Sequence, residues 1–236
     1  MEEAARRVVD DARAVVAARA SGIVIETLVV TGTPVDALLR TARDAQMVVV
    51  GRRGGGAFGS LLLGSTSFAV ASRAPAPAVV VPETVLADFD GPVVVGIDGS
   101  ERCLDAVEFG FDFADLAGVP LHVIHLWDVP TVYGWDDDPG RHQRLGRLEK
   151  DARLTISETL AGWRERYPGV DVQERPVRGH PVAGLVASTH NSGLLVIGGR
   201  GHGELGGAGL GSVARGVLEH ARGPVAVVHH HGQAAG

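Results

Sequence analysis

The chain repeats itself. Residues 1–83 align without a gap on residues 148–230, and 25 of the 83 pairs are identical. Roughly one pair in fifteen would match by chance at this composition, so a duplicated unit is the first constraint on the fold. The identities fall where backbone geometry is demanding. Gly32-x-Pro34-Val35 matches Gly179-x-Pro181-Val182, and Pro77 matches Pro224. Gly51, Gly54, Gly64 and Ser65 match Gly198, Gly201, Gly211 and Ser212. The second copy also has a lead-in: it begins near Gly91, about 57 residues ahead of the shared region. The pattern predicts an incomplete first unit at 1–83, a linker at 84–90 after Pro82, a whole unit at 91–230 and a tail at 231–236.

The whole unit reads as alternating strands and helices. Pro92–Asp98 is a continuous apolar run, as a strand buried on both faces requires. Leu121–Trp127, 170–178, Leu194–Gly198 and 225–229 read as four more strands. The spacing predicts helices over Glu101–Ala117, capped by Ser100, and over about 141–167. Two more run from Pro181 to about Asn191 and from Ser212 to about Ala221. This order implies α/β architecture: a doubly wound parallel sheet with right-handed crossovers, present twice in tandem with the first copy incomplete. The first unit retains a third strand (Ile23–Val30), a fourth (Met47–Gly51) and a fifth (Ala78–Val81). An amphipathic helix with Val8, Ala12, Val15 and Val16 on one stripe opens the chain.

In doubly wound sheets ligands sit beyond the C-terminal strand ends, at the switch point. Asp98 and the segment 198–212 both fall there, 100 residues apart. Glycines in that segment let backbone N–H groups approach a phosphate closely, and Ser212 opens a helix whose dipole favours an anion. Ser212 could cap that helix or give its hydroxyl to the phosphate. Gly201-x-Gly203-x-x-Gly206, echoed by Gly54-x-Gly56-x-x-Gly59, spells a dinucleotide fingerprint but follows a fourth strand. Ala226 and Val227 stand where that fingerprint needs an acid, so nicotinamide and flavin are set aside.

The spacing Gly198-x2-Gly201-x9-Gly211-Ser212, repeated as Gly51-x2-Gly54-x9-Gly64-Ser65, resembles the ATP-binding motif of the universal stress protein family. Val93–Ser100 is similar to that family's first strand with its ribose-binding aspartate, here Asp98. The resemblance implies ATP as cofactor, with or without Mg2+. It puts adenine against Gly96, the Leu126 backbone and Ile197, and ribose and phosphates near Asp98, Gly198, Gly201, Gly211, Ser212 and Val213. Gly51, Gly54, Gly64 and Ser65 would form an incomplete second site. It also implies pairing of fifth strands, 79–81 with 226–228, either within one chain as a pseudo-dimer or between chains as a homodimer.

No catalytic set is legible. Ser, Val, Ala and Arg follow Gly211, so there is no Walker lysine. His125 at a strand end could touch the pocket and His202 lies in the glycine segment, but both read as incidental rather than catalytic. His229-His230-His231 could ligate a metal or form a solvated tail, the tail being the favoured reading, and Asp136-Asp137-Asp138 reads as an exposed loop rather than a cation site. A net charge of −6 argues against nucleic acid as a partner. No apolar run approaches the eighteen residues of a membrane span. One cysteine, Cys103, permits no disulfide within the chain and fits a reducing cytoplasm.

The expected function is a regulatory, ATP-binding stress-response module with little or no turnover. The alternatives are a structural partner with a vestigial site and a weak ATP hydrolase. For the first unit, a strand order of 3-2-1-4-5 would leave strands 3 and 4 about 14 Å apart. Orphaned backbone groups would face that gap. The first unit is therefore expected to bind no ATP by itself, and the chain to oligomerise or aggregate.

Overall fold

The computed structural model describes residues 2–20, 22–54, 63–83, 91–128, 141–201 and 209–230. The 84–90 linker, Asp136–Asp138, His202, glycines 56, 59, 203 and 206, His231 and the tail lie outside them.

The strands are β1 (Val48–Gly51), β2 (Ala78–Val81), β3 (Val93–Ile97), β4 (Leu121–Trp127), β5 (Val172–Arg178), β6 (Leu194–Gly198) and β7 (Val225–Val228). Among the described residues these form one sheet in the order β1-β2-β7-β6-β3-β4-β5. The second unit has the expected 3-2-1-4-5 order, with β5-β4-β3-β6-β7 all parallel. β2 and β7 then join antiparallel, Ala78 opposite Val227 and Val80 opposite Val225. The two fifth strands thus meet inside one chain and become interior strands, which removes two apolar edges.

Helices α4 (Leu104–Ala117) and α5 (Arg141–Thr159) cover one face. There Val93, Val95, Leu121, Val123 and Ala226 pack on Val107, Phe111 and Ile156. Helices α3 (Ser65–Arg73), α7 (Pro181–Ser188) and α8 (Ser212–His220) cover the other. There Val80, Val94, Leu195 and Val227 pack on Val70, Leu185, Val217 and Leu218. Successive strand residues alternate between the two clusters, as the pleat dictates, so β2, β3, β6 and β7, covered on both faces, are apolar at nearly every position. The register Ala78↔Val227, Val79↔Ala226, Val80↔Val225 keeps each cross-strand pair on one face, so the core runs unbroken through the seam.

Several expectations are corrected. Ile23–Val30 forms no strand and is largely exposed, Val24 at 91%; no described strand lies beside it for its backbone to pair with. The opening helix, α1 (Glu2–Arg19), forms but buries no residue, and its valine stripe is uncovered. Helix 141–167 is two pieces: α5 stops at Thr159 and α6 (Trp163–Arg166) starts after Gly162, whose φ of +81° breaks the helical path. Ser100 does not cap a helix with its side chain; its hydroxyl goes to Asp98 instead. His229 and His230 are not a solvated tail but pack on the body of the fold, as described below.

The repeat shows in the smallest details. The amide of Gly64 donates to Arg52 O at 2.9 Å, and the amide of Gly211 to Gly199 O at 2.8 Å. Arg52 N donates to Val81 O, and Gly199 N to Val228 O. Both copies therefore close their glycine segments with the same pair of bonds.

Candidate functional site

A cavity of about 330 Å3 opens at the C-terminal ends of β3 and β6, the switch point of the sheet. Neighbours β4 and β6 lie on opposite sides of β3 and their crossovers pack on opposite faces, so the strand ends part there. All nine residues expected of the second unit line it: Gly96, Asp98, Leu126, Ile197, Gly198, Gly201, Gly211, Ser212 and Val213. It is an ordinary size for a small-molecule site.

One wall is apolar. Ile197 is 3% exposed, and Leu126 and Leu185 flank it. Gly96 is glycine because a Cβ there would stand 2.7 Å from Leu185 Cδ2 and 3.3 Å from Ile197 Cγ2. The bare backbone thereby admits the Leu185 side chain against β3. Gly184 likewise yields its Cβ space to Leu126, whose side chain leans over α7.

The opposite end is polar. Asp98 follows β3, and its Oδ1 accepts from Ser100 N at 3.0 Å and Ser100 Oγ at 2.6 Å. This turn fixes the carboxylate before any ligand arrives. Its Oδ2 faces Gly201, where a Cβ would stand 2.7 Å away. The first glycines of the motif and the aspartate thus share one wall of the cavity. Gly211 occupies the N-cap position of α8, and Ser212 is its first helical residue. That is one step from the capping role expected of Ser212. The Gly211 amide closes the loop on Gly199 O, so it is not a donor to an anion. What faces the cavity there is the first turn of α8, the positive end of its dipole.

Residues outside the set expected to hold the ligand also line the cavity: Cys103, Pro181, Leu185 and Arg200 among them, and His125, which the sequence placed at a strand end within reach of the pocket. His125 was read as incidental, but its ring is fixed: Nδ1 lies 3.0 Å from Ile97 O and must donate to that carbonyl. The ring's other nitrogen is then an acceptor when His125 is neutral. The register β3–β4, Ile97 opposite His125, carries this contact; only strand pairing reveals it. Cys103 is 4% exposed. Burial, and secondarily the Asp98 carboxylate, push its thiol up to about 11, so it is a neutral packing group.

The first copy differs. Gly51 ends β1, and Ser65 starts α3. A Cβ at Gly54 would meet nothing within 4 Å, whereas at Gly201 it meets Asp98. β1 is the outer strand of the sheet among the described residues, so nothing in the position of Asp98 faces Gly54. No group of three or more His, Cys, Asp or Glu among the described residues is arranged to hold a metal, and no described helix is long and apolar enough to cross a membrane.

Fold and cavity define a doubly wound α/β protein whose ligand crevice opens between its first and fourth strands. A model of the Universal stress protein family matches residues 1–82 and 91–229. A universal stress protein of Mycolicibacterium smegmatis is 37% identical over 237 residues, 96% of this chain and 77% of that protein. One from Mycobacterium bovis is 39% identical over 207 residues, 86% of this chain and 68% of that protein. The crystal structure of a universal stress protein from Archaeoglobus fulgidus, 22% identical, superposes with a TM-score of 0.68, covering 97% of this chain and 77% of that one. The chain belongs to the universal stress protein family, with its family sequence present twice.

Proposed function

We infer that the second unit is an adenine-nucleotide-binding module, its ligand ATP, acting by binding rather than by turnover. One observation carries the reading. Asp98, fixed by Ser100, lies against Gly201 in a cavity whose lining also holds the apolar residues Leu126 and Ile197 beside Gly96. A flat base fits between Leu126 and Ile197, where apolar contact is favourable. Ribose hydroxyls can donate to the Asp98 carboxylate, a charge-assisted bond. Phosphates would lie toward Gly198, Gly201, Ser212 and Val213, at the start of α8, where the helix dipole attracts negative charge. His125, as a neutral ring, can accept one further hydrogen bond from the ligand.

Hydrolysis has no evident machinery among the described residues of the cavity. The groups there that could exchange protons are Asp98, held by Ser100; His125, tied to Ile97 O; and Cys103, neutral at ordinary pH. On the regulatory reading, the nucleotide orders the crevice and its occupancy is the signal. The first unit, with Gly51, Gly54, Gly64 and Ser65 but no counterpart of Asp98 opposite Gly54, binds no nucleotide in this chain.

Titration calorimetry with ATP and adenosine, run beside a phosphate-release assay, tests this. The expected result is one ATP per chain, adenosine bound more weakly, and no phosphate released above the buffer rate. Two ATP per monomeric chain would contradict the reading of the first unit. Absence of binding by both ligands would favour a structural partner with a vestigial site.

A further inference from the structure

Gly199 lines the cavity and ties its glycine segment down on two sides. Its N–H donates to Val228 O at 2.8 Å, and its carbonyl accepts from Gly211 N at 2.8 Å. Gly211 is the N-cap of α8, and Gly201, two residues on from Gly199, faces Asp98. A shift of Gly199 is therefore passed to both. What stands behind Gly199 is a side chain. A Cβ added there would overlap Nδ1 and Cε1 of His229, so the ring occupies the space that any larger residue would need.

His229 is anchored outside its own unit. Its Nε2 lies 2.7 Å from Ala71 O in α3; a carbonyl can only accept, so the ring nitrogen donates. Ala71 is fully buried. The residue four positions on, Pro75, has no N–H, so the helix cannot satisfy that carbonyl in the usual way. A buried carbonyl left without a partner is costly, and His229 supplies the donor from across the β2–β7 seam. His230, the next residue, instead meets Asp105 of its own unit, its Nδ1 3.3 Å from Oδ1.

The repeat separates what the loop needs from what the seam needs. Position 199 aligns with Arg52 and position 229 with Pro82. In the first copy the loop residue itself crosses the seam: Arg52 Nη1 donates to Ala221 O, just past α8, at 2.8 Å. In the second copy the loop residue is glycine, and the ring from position 229 crosses over it to α3. The backbone bonds that close the two loops are the same, so neither side chain is required by the loop as such. Each copy sends one side chain to a carbonyl at the C-terminal end of the other copy's helix.

We propose that His229 is a positioning residue for the crevice. Seated on α3, it holds Gly199, and through Gly199 the start of α8 and the wall against Asp98. The first unit thereby supports the ligand site of the second. The consequence for ligand affinity rests on the function proposed above; the support of Gly199 does not.

The test uses the full chain as wild type, His229→Ala and His229→Gln. Glutamine keeps a side-chain N–H that can reach Ala71 O; alanine removes it. If His229→Ala does not fold, His229→Asn, polar but too short to reach the carbonyl, takes its place. Amide hydrogen exchange in the ligand-free protein, followed by NMR, compares Gly199 and Gly211 with the core amides of Val95 and Val196. A general loss of stability speeds all four alike, because core amides exchange through global unfolding. His229→Ala is expected to speed Gly199 and Gly211 at least about fivefold more than the core, with most of the protection restored in His229→Gln. Equal acceleration at all four overturns the proposal, and a His229→Gln protein that behaves like His229→Ala overturns the anchor on α3. ATP and adenosine are then titrated well below the melting temperature of each variant, where lower stability alone leaves Kd unchanged. His229→Ala is expected to bind ATP at least about threefold more weakly, with His229→Gln near wild type. An affinity within threefold of wild type overturns the link from Gly199 to the ligand. Should neither adenosine nor ATP bind the wild type, the nucleotide reading fails, and the exchange data alone decide the role of His229.

Discussion

Replacing Gly201 by alanine asks directly whether Asp98 and the glycine segment act on one ligand. The added Cβ would stand 2.7 Å from Asp98 Oδ2, about 0.7 Å inside the 3.4 Å at which ordinary contact begins. Something must move. The carboxylate is tied by Oδ1 to Ser100 N at 3.0 Å and Ser100 Oγ at 2.6 Å. Swinging Oδ2 away therefore bends those bonds, and moving the backbone at 201 instead pushes it into the phosphate end of the cavity. Either response displaces a charged hydrogen-bond acceptor from its ligand, a loss of about 1.5–3 kcal/mol, or about 10- to 150-fold in Kd. Gly201→Val, branched at Cβ and unable to rotate clear, is expected to abolish binding. Asp98→Ala is expected to cost about 1–3 kcal/mol. Calorimetric titration of ATP into the wild type, G201A, G201V, D98A and the G201A/D98A double variant measures all of these, with thermal melts as folding controls. If the Cβ acts through the carboxylate, the double variant loses little more than D98A alone, a non-additivity of about 1 kcal/mol or more. A folded G201V protein that binds ATP within twofold of wild type refutes the placement of the ligand. Strictly additive losses refute the coupling of Gly201 to Asp98.

Gly184→Ala would force Leu126 off its present rotamer, since the new Cβ overlaps its Cδ2; adenosine affinity should fall several-fold with little loss of stability, and an unchanged affinity would remove Leu126 from the base wall. Burial holds the Cys103 thiol neutral to about 11 against an ordinary 9.0. The folded state keeps its proton where the unfolded state loses it, so this stability is present below about pH 9 and declines as pH rises toward 11. The decline is about 2–3 kcal/mol in total, and urea melts at pH 8, 9.5 and 11 should show it vanish in Cys103→Ala. Arg52 Nη1 donates to Ala221 O at 2.8 Å, across the seam from the first unit to the end of α8. Burial, more than its neighbour Arg53, lowers its pKa. Arg52→Ala should destabilise the chain by about 1–3 kcal/mol in chemical denaturation, and a loss below a few tenths would show that the seam rests on the β2–β7 core alone.

Much of the site was legible because its chemistry is a matter of which atoms are missing. Gly201 marks a place where a side chain would strike Asp98, and with Gly198 and Gly211 it leaves a regular spacing in the sequence. Asp98 was legible because it ends an apolar run, at the edge of the sheet where ligands bind. Leu185, Cys103 and the hydrogen bond that fixes His125 were not. They depend on which strand lies beside which: Ile97 against His125, and α7 over β3 and β6. The place of His229 was missed for the same reason. His229 and His230 look like the start of a polar tail until β7 is seen to end against Gly199 and the C-terminal part of α3.

The sequence by itself determined the repeat, the alternation of strands and helices along the second unit and the spacing of its glycines after Asp98. These are carried by local periodicity and by residue type, properties each segment holds on its own. The tertiary structure alone decided how the first unit joins the sheet. Its apolar segment Ile23–Val30 has ample β-forming residues, yet a strand exists only where a partner offers hydrogen bonds, and no described strand lies beside it. Its fifth strand had no partner in its own unit beyond β1. It found one in β7, because antiparallel pairing there keeps Ala78, Val79 and Val80 on the faces where Val227, Ala226 and Val225 already bury their side chains. Pairing between distant segments is a property of the assembled sheet, and no window of sequence contains it.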